Sequence, residues 1–185
     1  VVVDDFAPHG TTNDVQRMHR DADRVLRAQG NQAGRQRMRA DTTLRPAKPP
    51  RGLIVSTGEE IPHGQSLRAR VLVLDVAPGA IDSTWLSRCQ RAATAGLYAQ
   101  ALAAFVAWAA PRYGLIRDTW ATDLVLLRGL AAHCAAHRRT PEIIANLALG
   151  FGWFLVFAYE AGLDIAAVEQ LWHCAWTALG EGADA

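Results

Sequence analysis

The patterning of apolar residues changes once along this chain, near Pro78, and that change limits what it can fold into. Before it, apolar residues come in short β-branched runs: "VVV" at the start, "LIV" from Leu53 and "VLVLDV" from Val71. Runs of this length without polar alternation suit strands covered on both faces of a mainly parallel sheet. After it, apolar residues recur every three or four positions, the period of a helix with one face inward. The expected fold class is therefore α/β over residues 1–78, followed by an α-helical bundle over 79–185. There is no internal repeat.

Individual elements follow from the same patterns. Residues 1–6, 53–56 and 71–76 read as strands. Val15, Met18, Ala22, Val25 and Leu26 recur at helical spacing, which predicts a helix over 14–29. Thr12 or Asn13 can cap its start and Gly30 ends it. Further helices are expected over 82–110, 117–137, 141–161 and 165–179. Leu97, Tyr98, Ala101, Leu102, Phe105 and Ala109 form one apolar stripe; Ile165, Val168, Leu171, Trp172, Ala175, Trp176 and Leu179 form another. The stretch "IIANLALGFGWFLVFAYEAG" is apolar enough to raise a membrane span. Asn146, Glu160 and the helix-start signal "TPE" favour a buried helix instead.

"VVVDDF" ends an apolar strand on two carboxylates. The C-terminal edge of a parallel sheet is where such proteins bind ligands. There one aspartate, Asp4, can hold Mg²⁺ while Asp5 orients or deprotonates a water. The plain alternative is two acids opening a solvated loop. "STGEE" also follows a β-branched run, so Thr57 should emerge on the same edge. "SLRAR" adds Arg68 and Arg70, which suit charge on a transferred phosphoryl group, or serve only as surface ion-pair partners.

The net charge of +1 conceals a local concentration. Between Arg35 and Arg51 six positive residues face one acid, Asp41. Arg/Met/Thr/Leu alternate there, and a turn is expected near "RADT", giving a basic β-hairpin or extended loop. In a hairpin Arg35, Arg37 and Arg39 share one side. With Arg45 and Lys48 they form a surface for nucleic-acid phosphates, or merely a solvated loop.

Three segments, "VVVDDFAPHG", "ADRVLRAQGNQAGRQRMRADTTLRPAKPPRGLIVSTGEE" and "GQSLRARVLVLDV", resemble the second half of a helicase-like AAA+ ATPase family. That family belongs to plasmids, phages and integrative elements and is often joined to primase–polymerase modules. The resemblance implies the C-terminal part of a P-loop NTPase core, then a helical lid. It implies Asp4 and Asp5 as Walker B acids and Thr57 at sensor 1, with Glu59 close by. The basic segment becomes a pore hairpin gripping single-stranded or forked DNA. Arg68 or Arg70 becomes an arginine finger reaching a neighbour in a homo-oligomeric ring, and Arg138 or Arg139 a sensor 2. ATP and Mg²⁺ are the implied cofactors, and DNA replication the implied process. The chain contains no G-x-x-x-x-G-K-[ST], and Lys48 lies among prolines that lack the N–H groups of a phosphate cradle. It therefore reads as beginning inside a longer ATPase and as inactive alone. The alternative is a non-catalytic DNA-binding or protein-interaction module using residues 34–50.

Other constellations carry less. Three cysteines far apart make no disulfide framework, which points to a reducing cytoplasm. "HCAAH" places His133 and His137 one turn apart but lacks the glutamate of H-E-x-x-H. The tryptophans of the second part read as packing residues, and Ser56, Ser66, His63 and Asp75 do not make a triad.

Overall fold

The computed structural model of this chain describes residues 2–33, 36–50, 52–64, 67, 70–134 and 140–184. Two compact units result, Val1–Leu72 and Val73–Ala185. The first holds strands β1 (Val2–Phe6) and β2 (Val55–Gly58) and helix α1 (Thr12–Gly30). The second holds α2 (Ser83–Thr94), α3 (Leu97–Ala109), α4 (Tyr113–Ala131), α5 (Thr140–Glu160) and α6 (Ile165–Asp184).

The expected α/β core is not what the chain forms. The protein is mostly helical, 64% helix against 7% strand, and among the described residues its sheet has two strands. The third apolar run, 71–76, is irregular, with Leu74 61% and Val76 64% exposed. A helix satisfies its hydrogen bonds within its own segment, but a strand needs a neighbour, and β-branched composition does not supply one. The two strands that pair are also exposed rather than covered on both faces, Val2 at 73% and Val55 at 50%.

α1 follows local chemistry closely. Its cap is Thr11, one residue earlier than expected: Thr11 Oγ1 accepts from the Asp14 N–H, and Asp14 accepts from the Thr11 N–H in return, a capping box. Asn31 closes the C-terminal end. Hydrogen bonds from Thr11 hold the Asp14 carboxyl below its ordinary value, and a hydrogen bond from Arg27 does the same for Asp23. Both groups are depressed on folding, so their contribution is complete above the ordinary carboxylate range and is lost as pH falls through the lowered values. Helicity of the first unit should therefore hold from neutral pH to about pH 4 and decline below it, whereas Asp14→Asn should start from a lower stability at neutral pH and lose less on acidification. A circular-dichroism titration in which the variant follows the wild type would contradict this.

β1 and β2 are parallel, with Val2 opposite Val55, Val3 opposite Ser56 and Phe6 opposite Gly58. The close approach at the last pair needs a glycine: a Cβ on Gly58 would stand 2.5 Å from the Phe6 carbonyl oxygen. Backbone cannot yield there without separating the strands. Gly58→Ala should destabilise the first unit by about 1–3 kcal/mol, measured by urea denaturation. An unchanged midpoint would mean that the strands do not meet as described.

In the second unit the expected 82–110 helix is two helices. Gly96 takes a left-handed conformation (φ 75°), and α2 is bent by 63° from the helical run that follows. α4 packs on α5 and α5 on α6. The buried stripe of α5 is Pro141, Ile144, Ala145, Ala148 and Leu149, the spacing of one helical face. Phe105 and Trp108 of α3 meet Phe157 of α5 at ring separations of 5.7 and 5.9 Å. Trp172 stacks on Trp176 along α6. The α3 stripe expected to be inward is turned outward at Leu97, Tyr98 and Leu102, each more than half exposed. Among the described residues, α5 alone is by itself long and apolar enough to cross a bilayer, and 28% of its apolar stretch is buried.

Candidate functional site

The two aspartates sit where the strand register breaks. From Val3 to Phe6 β1 advances three residues while β2 advances two, from Ser56 to Gly58, so Asp4 and Asp5 together face Thr57. This is a β-bulge, which bends a strand and re-aims its side chains. Asp5 takes the extra turn at φ 58°, a left-handed conformation that aspartate tolerates better than most residues.

Thr57 closes the bulge with one hydroxyl. Its Oγ1 donates to Asp4 Oδ1 at 2.6 Å and accepts from the Asp5 N–H at 3.0 Å. An N–H left out of the ladder thus gains a partner, and Asp4 is tied to a residue 53 positions away. Asp4, Asp5 and Thr57 are all exposed. Their donors are all oxygen, the set that suits a hard cation such as Mg²⁺ rather than a softer one.

The arginines expected nearby are placed differently. Arg70 lies at the C-terminal end of α1, where its Nε donates to Asn31 Oδ1 at 3.0 Å and its side chain crowds Gly30. Arg68 and Arg139, like Arg138, fall outside the described residues, as does Arg35.

The basic segment forms a hairpin about its expected turn. Met38 bridges Leu44 antiparallel, the Arg39 N–H donates to the Thr43 carbonyl at 2.8 Å and the Arg45 N–H to the Arg37 carbonyl at 2.9 Å. Asp41 Oδ1 accepts from the Thr43 hydroxyl and N–H, which hold its carboxyl below its ordinary value. Strand alternation puts Met38 and Leu44 on one face and Arg37, Arg39 and Arg45 on the other. Arg37 and Arg45 sit opposite one another, where like charges repel. These three arginines and Lys48 are exposed, and none takes part in an ion pair among the described residues.

Sequence reasoning passed over one cluster. His19 on α1, 7% exposed, is the buried polar residue of the described chain. His63 and Glu60, from the loop after β2, stand against it. Helical spacing offered a weak signal, since His19 falls beside Met18 on the inward side of α1. Comparisons with family models, curated proteins and solved structures returned no match.

Proposed function

We propose that this chain serves a helicase-like ATPase of a mobile genetic element, acting on DNA in the cytoplasm during replication. The observation that supports it most is the bulge at Asp4–Asp5 with Thr57 across it. One hydroxyl ties the Asp4 carboxylate and the Asp5 backbone N–H together at one sheet edge, with Asp5 itself in a left-handed conformation. Strain of this kind persists where the surrounding structure enforces it, and it collects at functional sites.

In this reading Asp4 is the residue that would hold Mg²⁺ and Asp5 the base that orients the attacking water. The Thr57 hydroxyl fixes the Asp4 carboxylate and would contact the phosphate or the attacking water. Bound ATP and Mg²⁺ supply the transferable phosphoryl group and the charge that offsets its negative oxygens. The phosphate cradle would come from another segment, since the sequence contains no G-x-x-x-x-G-K-[ST]. Arg68 or Arg70 would act on a neighbouring subunit's nucleotide in a homo-oligomeric ring, Arg70 only by leaving Asn31, and Arg138 or Arg139 would contact the nucleotide of its own. The test is magnesium-dependent ATP hydrolysis, stimulated by single-stranded DNA, compared between the wild type and Asp5→Asn.

The hairpin supports a second reading, a DNA-binding module without ATP chemistry. Repulsion between Arg37 and Arg45 is relieved when a phosphate lies between them, whatever happens at Asp5. The two readings part on the Asp5 variant: the first requires lost turnover, the second predicts DNA binding with no turnover to lose.

A further inference from the structure

Helix α1 buries a histidine whose outer nitrogen has no hydrogen-bond partner. His19 Nδ1 accepts a long 3.3 Å hydrogen bond from the His63 N–H. Its Nε2 is buried and makes no hydrogen bond. Glu60 Oε2 stands 3.7 Å away, within ion-pair distance of a protonated ring but beyond hydrogen-bond reach. Buried polar atoms in folded proteins are almost always satisfied, so an orphan of this kind calls for an explanation.

The surroundings provide one. Phe6 closes one side of the imidazole, edge-on at 5.5 Å, and the His63 ring stacks on it at 3.8 Å. One ligand atom each from His19, Glu60 and His63 lies within 4.8 Å of the others. Donors on a tetrahedral ion with bonds of about 2.0–2.1 Å are about 3.3 Å apart, so the three need close by only about 1.5 Å. His19 is fixed by its helix. The other two are exposed and sit on one loop beside Gly64, whose φ of 121° suits glycine alone.

We infer that His19, Glu60 and His63 bind a divalent transition-metal ion of the zinc class and clamp the loop after β2 onto α1. Two imidazoles and one carboxylate favour a borderline ion over Mg²⁺ or Ca²⁺, which take oxygen sets such as Asp4, Asp5 and Thr57. The unit thus carries two cation-binding groups of different hardness. The stacked rings are parallel, so no single point lies in both planes, and His63 turns out of the stack when the ion binds. With the ion on His19 Nε2, the ring proton resides on Nδ1 and the 3.3 Å contact opens. Three protein donors leave the fourth tetrahedral position to water.

Zinc titration of the full chain, followed by calorimetry, tests this, with Co²⁺ absorption as a second readout. The expected result is one ion per chain, undisturbed by excess Mg²⁺. His63→Ala and Glu60→Gln alter exposed residues and should keep the fold by circular dichroism. Each should weaken zinc binding by more than about tenfold. His133→Ala and His173→Ala should leave it unchanged. No zinc binding by the wild type overturns the inference. So does equal affinity in both loop variants, or loss of the ion on changing His133 or His173. None of these outcomes touches the ATPase reading, which rests on other residues.

Discussion

Asp5→Asn should cut ATP turnover by about 10²–10⁴-fold, the usual effect of removing a general base, and leave most nucleotide binding in place. The measurement belongs in the assembled ATPase, with the phosphate cradle present and single-stranded DNA added. The substitution suits the backbone it enters. Asp5 is left-handed at φ 58°, and asparagine adopts that conformation as readily as aspartate. The N–H that donates to Thr57 Oγ1 is also unaffected. The variant should therefore keep the bulge and the melting curve while losing only the carboxylate's basicity. Asp4→Asn should behave differently. It weakens the anionic partner of the Thr57 hydroxyl and the hard-oxygen set together. Its loss of turnover should be partly recovered at high Mg²⁺, whereas that of Asp5→Asn should not. Full turnover in Asp5→Asn would remove Asp5 from the chemistry and end the ATPase reading of this site.

The largest effect on DNA should come from Arg37→Ala combined with Arg39→Ala. With Arg45, these side chains form the basic face of the hairpin, and three guanidiniums can meet successive phosphates. Three contacts to a single strand give a slope of log K against log salt of about −2. Removing two should bring that slope to about −0.7 and lower affinity at every salt concentration. Because phosphates carry no base identity, the loss should be the same for different sequences. The hairpin itself should survive, since its turn rests on Asp41, Thr43 and backbone bonds rather than on the arginines. Met38→Ser, on the opposite face, provides the control and should leave the slope alone. A double variant with unchanged affinity and slope would take the hairpin out of the DNA account, in the ATPase reading and in the binding-module reading alike.

Local chemistry was sufficient for much of this protein. α1 could be read to within two residues, because capping groups and a 3.6-residue apolar period act within the segment they define. The hairpin turn was legible at "RADT", where an aspartate can bond its own backbone two residues on. The mainly helical character of the described residues after Pro78 was equally plain. The meeting of Thr57 with Asp4 was half legible: two apolar runs ending in polar turns implied a shared edge, but not a bulge. What the sequence could not settle were the features that depend on a partner. Residues 71–76 have the composition of a strand and form none, because ladder hydrogen bonds require a neighbour that composition does not specify. Gly96 breaks one apolar stretch into two helices, and α3 sets the half-buried Phe105 and Trp108 against the rings of α5 while Leu97 and Leu102 stay exposed. Most of all, His19 and His63 are 44 residues apart. Only the folded loop after β2 sets one imidazole against the other and leaves Nε2 of His19 buried without a hydrogen-bond partner.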